Sequence, residues 1–233
     1  MKILIVSATI AELSPLKKQL KVADNIDSAN FGKLQLDFLV SGVGMTATAF
    51  ALGKQLQKKQ YDLAINIGIA GAFNRFLQLG EVVEVQSDFI AELGAEDDLD
   101  FINIHKLGLI GENEFPYENG RIYASATNLP KHTLKKINGI TVNKVHGNES
   151  SIAKFQENFE AAVESMEGAA FFYACRMMAV DCIQFRSISN YVEKRDKSNW
   201  KIELALNNLT VEVNNFLKKY NEDHTNRLFS LSK

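Results

Sequence analysis

Two glutamates stand where a carboxylate could do acid–base chemistry or hold a polar ligand. Glu12 follows the apolar run at residues 2–7, and Glu167 lies at the start of an apolar helix in residues 165–170 (SMEGAA). A carboxylate in the first turn of a packed helix is partly desolvated and usually has a partner or a function. Each residue also has a simpler explanation: Glu167 suits a helix N-terminus, and a glutamate just after a strand is commonly solvated.

Two glycine-rich turns could bring a ligand close to the backbone. Residues 41–47 (SGVGMTA) link a predicted strand to a helix, and residues 66–72 (NIGIAGA) end another strand. The first turn has the Gly-x-Gly-x-x-Ala spacing of dinucleotide-binding proteins, but Asp62, at the distance expected of the ribose-binding acid, begins a strand instead of ending it. We therefore expect no cofactor. The two turns either shape one crevice or simply allow close packing of strand on helix.

Other kinds of catalytic site have little support. The histidines have no metal-binding spacing with one another or with cysteine, so we expect no metal site; they are His105, His132, His146 and His224. The sequence contains no Gly-x-Ser-x-Gly elbow and no Walker loop. Serine-hydrolase and kinase chemistry therefore lose their support.

Composition and charge describe an ordinary globular protein. Hydrophobic residues make up 46% and charged residues 23% of the 233 residues. The net charge of −2 argues against nucleic acid as a partner, and no apolar stretch is long enough for a membrane span. Cys175 and Cys182 are too few for a disulfide scaffold, and with no secretion signal we expect core thiols and a cytoplasmic protein.

Hydrophobic patterning predicts the elements that position these residues. Short apolar runs indicate buried strands, and the first three alternate with helices, so we predict a largely parallel sheet with helices on its faces. The predicted strands of this part are 2–7, 34–40, 62–69 and 81–86, and its helices are 11–21 and 44–59.

The second half is less regular. We predict weak strands near 104–110 and 121–126, helices at 130–137, 150–158, 166–179 and 198–220, and strands at 140–146 and 182–189. Without a repeat or linker, one three-layer α/β/α domain is predicted over residues 1–220, followed by a polar tail at 221–233.

Four segments occur in an order that resembles one enzyme family. They are the start MKILIVSATIAEL with Glu12, residues 41–44 (SGVG), residues 66–71 (NIGIAG), and residues 163–170 (VESMEGAA) with the downstream 186–189 (RSIS). On these segments the chain resembles nucleoside phosphorylases and nucleosidases, in particular the methylthioadenosine/S-adenosylhomocysteine nucleosidases. Within that family, residues 89–97 (FIAELGAED) are similar to the futalosine hydrolase branch, which serves a bacterial menaquinone route.

The resemblance implies a nucleoside phosphorylase-like fold with a central mixed sheet, and hydrolysis of an N-ribosidic bond without a cofactor. In that family's mechanism Glu12 activates the attacking water, Glu167 holds the ribose 2′-hydroxyl, and Met166 packs under the ribose. The partner implied is a small nucleoside, and a homodimer or higher homo-oligomer is expected.

The resemblance also assigns residues around the base. Val145 and His146 contact the base largely through backbone groups, and Ala70 and Gly71 line the pocket near the attacking water. The chain departs from the adenine-specific nucleosidases at Asn190, where they carry an aspartic acid that protonates the purine. An amide offers a donor and an acceptor instead, which suits the ring nitrogen and oxygen of a 6-oxopurine such as hypoxanthine.

Three alternatives stay open. A purine nucleoside phosphorylase needs cations for phosphate, and the basic residue nearest the glycine turns, Arg75, lies four residues past Gly71. A methylthioadenosine nucleosidase is weakened by Asn190. A nucleoside-binding protein without activity could keep this fold, but we expect it to have lost Glu12 or Glu167.

Overall fold

The first part of the chain alternates strands and helices, as predicted. The computed structural model describes residues 1–98, 100–127, 129–158 and 161–231. Up to residue 90 the elements are β1 (Lys2–Ser7), α1 (Ile10–Gln19), β2 (Ser28–Phe31), β3 (Leu34–Val40), α2 (Met45–Lys58), β4 (Leu63–Ala72) and β5 (Val82–Ile90). The short strand β2 is absent from the prediction, because its sequence SANF carries no apolar run.

The second part contains shorter strands between longer helices. Its elements are β6 (Gly94–Asp97), β7 (Asp100–Asn103), β8 (Ile122–Tyr123), β9 (Lys135–Thr141), α3 (Glu149–Asn158), β10 (Val163–Ser165), α4 (Gly168–Met177), β11 (Cys182–Tyr191), a 3₁₀ turn (Lys197–Asn199) and α5 (Ile202–Leu231). β6 and β7 form a separate hairpin.

One large mixed sheet forms the middle layer. Its strands lie in the order β2, β3, β1, β4, β11, β5, β9 and β10, with β8 paired to β5. β1 is parallel to β3 and β4, β11 is parallel to β4, and β9 is parallel to β5 and β10. β2 is antiparallel to β3, and both β8 and β11 are antiparallel to β5. The predicted mixed, largely parallel sheet is confirmed.

Helices cover both faces of this sheet. Successive side chains of a strand point to opposite faces, and β1 follows this rule: Ile5 packs in the core under α1 and α5, whereas Val6 packs in the core under α2 and α4. The predicted three-layer α/β/α arrangement in a single domain is therefore confirmed.

The sheet also closes on itself at one side. β10 pairs with β9 along one edge and with β4 along the other, through Val163↔Ala72 and Glu164↔Gly71. β4, β11, β5, β9 and β10 thereby form a ring, and β1, β3 and β2 continue as an open extension. Pairing between strands so far apart in the chain leaves no local pattern, which is why the sequence does not predict the closure.

Three predicted elements of the second half are wrong or shifted. Residues 130–137 contain no helix, because Lys135 and its successors pair in parallel with β5 from Val83 onward. The strand predicted at 140–146 is therefore β9, which ends at Thr141. Residues 104–110 form turns, closed by bonds such as the Gly108 N–H to the His105 carbonyl at 2.9 Å, instead of a strand.

The C-terminal helix is longer than predicted. α5 continues past Tyr220 to Leu231, into the segment predicted as a polar tail. Residues 221–231 (NEDHTNRLFSL) contain neither proline nor glycine, so nothing in them breaks the helix. The last two residues of the predicted tail, 232 and 233, lie outside the described part of the chain.

Candidate active site

Glu12 is held between a helix start and the central strand β4. Its Oε2 accepts hydrogen bonds from the backbone N–H and the hydroxyl of Thr9, both at 3.1 Å. Its Oε1 accepts the N–H of Ile69 on β4 at 3.1 Å. Three donors thus fix the carboxylate at the carboxyl ends of two parallel strands, where ligands of open α/β sheets bind.

Arg186 reaches the same place from the neighbouring strand β11. A Cβ on Gly68 would lie 2.1 Å from Arg186 Nη1 and 2.8 Å from Glu12 Oε1, so both charged groups occupy the space above that glycine. Arg186 is 1% exposed. Its Nε donates to Gln184 Oε1 at 3.0 Å, and its Nη2 donates to Asn66 Oδ1. These partners leave the third nitrogen, Nη1, beside the space above Gly68 that the Glu12 carboxylate also borders.

The surroundings of Glu12 shift its titration. Burial raises the pKa of Glu12 above its ordinary value of 4.5. The Arg186 guanidinium and the Ile69 N–H act against this shift, whereas the negative charge of Glu167 adds to it. Glu12 is therefore a stronger base than a free carboxylate, and it lies within electrostatic reach of Glu167.

Glu167 is buried at the junction of β10 and α4, with 6% of the residue exposed. Its Oε1 accepts the N–H of Gly44 at 3.0 Å. Gly44 caps α2 with a φ of 90°, a backbone conformation that favours glycine. The first glycine turn thus holds a carboxylate at a helix N-terminus, and Oε2 of Glu167 stays available to a ligand. Met166, half-buried, directly precedes it.

A small cavity of about 50 Å³ lies further along the same edge of the sheet. It is lined by Gly71, Val145, His146, Glu164, Asn190, Tyr191, Glu193, Arg195 and Trp200. The buried residue Ala70 precedes Gly71 on β4. Such a volume holds a few water molecules.

Asn190 is oriented by its chain neighbours. The Ser189 hydroxyl donates to Asn190 Oδ1 at 2.8 Å, and Asn190 Nδ2 donates to the Tyr191 carbonyl at 3.0 Å. The pairing of β11 with β4 has an irregularity between Ile188 and Asn190, and bulges of this kind redirect side chains next to functional sites. One N–H of the amide and a lone pair of its oxygen remain for a ligand.

His146 and Glu164 form a buried pair at the wall of this cavity. His146 Nδ1 lies 2.6 Å from Glu164 Oε2, and the His146 backbone N–H donates to Glu164 Oε1 at 3.0 Å. Both side chains are 3% exposed. The backbone N–H of His146, assigned to the base by resemblance, is therefore already engaged, whereas Val145 is 37% exposed beside it.

The structure brings the candidate residues to one edge of the sheet. Gly68 on β4 lies next to Glu12, and Gly71 on the same strand lies next to Asn190. Three residues of strand separate the two glycines by about 10 Å. Arg186 and Glu164 are residues of this region that the sequence does not predict, although a charged residue inside the predicted buried strand 182–189 is a signal for Arg186. Within the described residues, no cluster of His, Cys, Asp and Glu could hold a metal ion, and no helix is long and apolar enough to cross a membrane.

Sequence comparisons identify a family and several relatives of the chain. Residues 2–220 match the family model described as "Phosphorylase superfamily". The chain is 32% identical to the futalosine hydrolase of Thermus thermophilus over 184 residues, covering 77% of the chain and 80% of that protein. It is 28% identical to the aminodeoxyfutalosine nucleosidase of Campylobacter jejuni over 233 residues, covering 94% of the chain and 97% of that protein.

Solved structures share the fold. A 5′-methylthioadenosine/S-adenosylhomocysteine nucleosidase from Helicobacter pylori, in complex with butyl-thio-DADMe-Immucillin-A, superimposes with a TM-score of 0.77 at 15% identity, over 94% of the chain and 98% of that protein. A futalosine hydrolase mutant from H. pylori gives a TM-score of 0.77 at 15% identity, over 96% of the chain and 99% of that protein.

Proposed function

The chain belongs to the phosphorylase superfamily, and we propose that it is a nucleosidase of the futalosine hydrolase type. It cleaves the N-ribosidic bond of futalosine with water and releases hypoxanthine and dehypoxanthine futalosine, a reaction of menaquinone biosynthesis. The similarity to several curated futalosine hydrolases supports this assignment.

The Glu12 end of the site suits activation of water. Glu12, with its raised pKa, takes a proton from a water placed between its carboxylate and Nη1 of Arg186. General-base catalysis of this kind contributes roughly 10²- to 10⁴-fold in rate. Glu167 holds the ribose 2′-hydroxyl through the oxygen not bonded to Gly44, and its charge favours the cationic sugar of the transition state. Met166 packs under the ribose.

The charges favour water over phosphate as the attacking group. Glu12 and Glu167 carry two negative charges against the single guanidinium of Arg186, so the site repels a phosphate dianion. Arg75 does not supply the missing cation, because its side chain pairs with Glu193 and lies over the ring of Tyr191, 4.2 Å from the centroid.

The observation that carries the choice of base is Asn190, an amide held in a fixed orientation at the cavity. Asn190 Oδ1 accepts the Ser189 hydroxyl, one N–H of Nδ2 donates to the Tyr191 carbonyl, and the second N–H is left for a ligand. This arrangement suits the protonated ring nitrogen and the carbonyl oxygen of departing hypoxanthine. Val145, His146 and Gly71 line the cavity assigned to the base, and Ala70 and Gly71 lie on β4 towards the attacking water. A methylthioadenosine/S-adenosylhomocysteine nucleosidase is the second candidate, supported by a relative of that name from Colwellia psychrerythraea.

The assembly proposed is a homodimer or higher homo-oligomer in the cytoplasm. Large apolar side chains are exposed on the neighbouring helices α2 and α4, among them Phe50 at 73% and Met177 at 50%. An exposed apolar patch of this kind fits a protein interface. The nucleosidase domain proposed is residues 1–220, of which 2–220 match the family model; residues 221–231, which continue α5, lie outside that match.

The test is product analysis with three substrates. The purified protein is incubated separately with futalosine, inosine and methylthioadenosine, with and without phosphate, and the released base and sugar are identified by chromatography. Hypoxanthine from futalosine at a rate indifferent to phosphate is the expected result. Adenine from methylthioadenosine alone points to the second candidate, dependence on phosphate to a phosphorylase, and no cleavage of any substrate to a nucleoside-binding protein.

A further inference from the structure

Asp88, near the end of β5, is a buried aspartate with hydrogen-bond donors on both of its oxygens. The residue is 1% exposed. Its Oδ1 accepts the Thr141 hydroxyl and the Phe89 N–H, both at 2.9 Å, and its Oδ2 accepts Nε2 of Gln184 at 3.3 Å. Burial raises the pKa of Asp88, and the hydrogen bond from Thr141 and the charge of Arg121 act against this rise. Since every one of these contacts is a donor, the surroundings satisfy the ionised form of the carboxylate.

Gln184 on the neighbouring strand β11 connects Asp88 to Arg186. Its Oε1 accepts Nε of Arg186 at 3.0 Å, while its Nε2 donates to Asp88. A guanidinium has only donors and a carboxylate has only acceptors, so these two partners fix which end of the Gln184 amide faces which residue. The contact lies over Gly168, the first residue of α4, where a Cβ would overlap both Asp88 Oδ2 and Gln184 Oε1.

We propose that Asp88 is a positioning residue that acts through Gln184: it holds the Arg186 guanidinium so that Nη1 lies beside the attacking water. The inference rests on the proposed function, in which that water lies between Glu12 and Arg186, and deepens it. Asp88 acts without touching the substrate or the water. Its acceptor oxygens decide the direction of the Gln184 amide, and that direction decides whether Nε of Arg186 meets an oxygen or an NH₂ group.

A second amide holds the other side of the guanidinium. Nη2 of Arg186 donates to Asn66 Oδ1, and Asn66 Nδ2 donates to the Val6 carbonyl at 3.1 Å. Asn66 is thus oriented by the backbone of β1, whereas Gln184 is oriented by the side chain of Asp88. Misplacing a group at a reacting centre by about 1 Å costs on the order of 10² in rate. Because Arg186 contacts the water and not the nucleoside, a reversed Gln184 should affect turnover more than substrate binding.

The variant Asp88→Asn is isosteric and disrupts this chain of hydrogen bonds. The new amide keeps its oxygen on the Thr141 hydroxyl and the Phe89 N–H, so its NH₂ group faces Nε2 of Gln184, donor against donor. Rotation of the Gln184 amide relieves that conflict but places its NH₂ group against Nε of Arg186. We expect kcat for futalosine to fall at least about tenfold, while KM changes by less than about a factor of two.

The double variant Asp88→Asn/Gln184→Glu exchanges the amide and the carboxylate. The new asparagine NH₂ donates to the new glutamate, and that glutamate accepts Nε of Arg186, so each donor again meets an acceptor and the net charge is unchanged. We expect kcat to return to within about threefold of the wild-type value. Asp37→Asn, the same change at a buried aspartate of β3 away from the site, is the control and should lower stability without lowering kcat.

The two variants decide the proposal together. An unchanged kcat in Asp88→Asn overturns it. A double variant that stays as slow as the single one, or that does not fold, also overturns it, because the exchange keeps every donor–acceptor pair between Asp88, Gln184 and Arg186. Where Asp88→Asn alone does not fold, a folded double variant with kcat near the wild-type value supports the proposal, and one more than about tenfold slower overturns it.

The Nε–H resonance of Arg186 in proton–nitrogen NMR spectra reports the same contact without turnover. It is identified by its absence from Arg186→Met, and it should be protected from exchange in the wild type, lost in Asp88→Asn and restored in the double variant. That pattern in a protein that cleaves no nucleoside supports the role of Asp88 and contradicts the proposed function. Cleavage of futalosine, with a resonance that Asp88→Asn leaves unchanged, supports the hydrolase and overturns the role of Asp88.

Discussion

The guanidinium of Arg186 and the carboxylate of Glu12 lie over the same residue, Gly68, at distances of 2.1 Å and 2.8 Å from the position of its absent Cβ. No ion-pair contact joins the two groups directly, yet the positive charge of Arg186 opposes the rise in the pKa of Glu12. The charge balance at the reacting end of the site therefore depends on a residue without a side chain.

Replacing Gly68 with alanine should disrupt this arrangement. The new methyl group overlaps Arg186 Nη1, which is held by Gln184 and Asn66 and cannot retreat without losing those bonds. We expect kcat/KM to fall at least tenfold and the melting temperature to decrease, measured by steady-state kinetics and calorimetry. Gly53→Ala in α2 is the matched control: a Cβ there meets nothing within 4 Å, and the change should stabilise the helix by up to about 1 kcal/mol. Equal behaviour of the two variants would contradict the prediction.

Glu12→Gln should remove the general base and keep the fold. The amide oxygen can keep the hydrogen bonds from the Thr9 N–H and hydroxyl, whereas its NH₂ group loses the bond from the Ile69 N–H. The melting temperature should therefore fall by no more than the loss of one buried hydrogen bond implies. Turnover should fall at least tenfold, in the range of roughly 10² to 10⁴ that general-base catalysis supplies. Glu203→Gln, an exposed glutamate in the first turn of α5, serves as the control. Turnover retained in Glu12→Gln would remove this residue from the mechanism.

The pH dependence of kcat/KM should report the shifted titration of Glu12. The base acts in its ionised form, and burial raises its pKa above 4.5, so activity should decline on acidification at a pH above 4.5. Arg186→Met removes the charge that opposes this rise. Its acidic limb should therefore move to higher pH, measured between pH 4 and 9 with circular dichroism as the check on folding. A limb that moves to lower pH would show that another group titrates.

Asn190→Asp should shift the enzyme towards adenine nucleosides. A carboxyl group can carry a proton to the departing base, whereas an amide cannot act as an acid at neutral pH. We expect cleavage of methylthioadenosine to increase relative to futalosine, measured as the ratio of the two kcat/KM values. Asn190→Leu, which removes both hydrogen-bonding groups, should lower cleavage of both substrates. A ratio that is the same in Asn190→Asp and the wild type would assign base selection to other residues.

Asp37 should stabilise the fold at a distance from the site. Although burial alone raises its pKa, hydrogen bonds from Lys59, Tyr61 and Ser28 outweigh that effect and lower the pKa of Asp37 below 3.8. The contribution of Asp37 to the free energy of unfolding is therefore present above pH 3.8 and is lost as the pH falls through its lowered pKa. Asp37→Asn should cost on the order of 2 kcal/mol at pH 7, and the difference from the wild type should shrink towards pH 3. Urea unfolding at both pH values measures this, and a difference that grows in acid would contradict it.

The sequence predicts the elements whose signals are local. The apolar run around Arg186 predicts β11. Glu12 lies in the first turn of α1 and Glu167 at the N-cap of α4, as expected from their positions after strands. Residues 130–137 are different: their pattern predicts a helix, but pairing with β5 makes their last three residues part of β9. In that segment tertiary contacts override a weak local preference.

Other features of the site depend on register, which the sequence does not contain. Glu164 and Asn190 meet at Gly71 only because β10 closes the ring against β4, and no spacing along the chain reveals this. Likewise, the bond from Gly44 to Glu167 joins residues that are 123 positions apart. The resemblance to nucleosidases identifies the candidate site residues, and the structure identifies the residues that hydrogen-bond to them and hold them in place.

The position of β4 in the sheet also bears on how the site responds to heat. β4 is bonded along one edge to β11, and along the other to β1 and then to β10. Amides so enclosed exchange with solvent through large-scale opening of the molecule and not through local fraying. The residues of β4 that are paired on both edges, 64–66, 71 and 72, therefore belong to the last part of the protein to open. Residues 67–70 lie in the gap between β1 and β10, and this gap leaves the Ile69 N–H to Glu12.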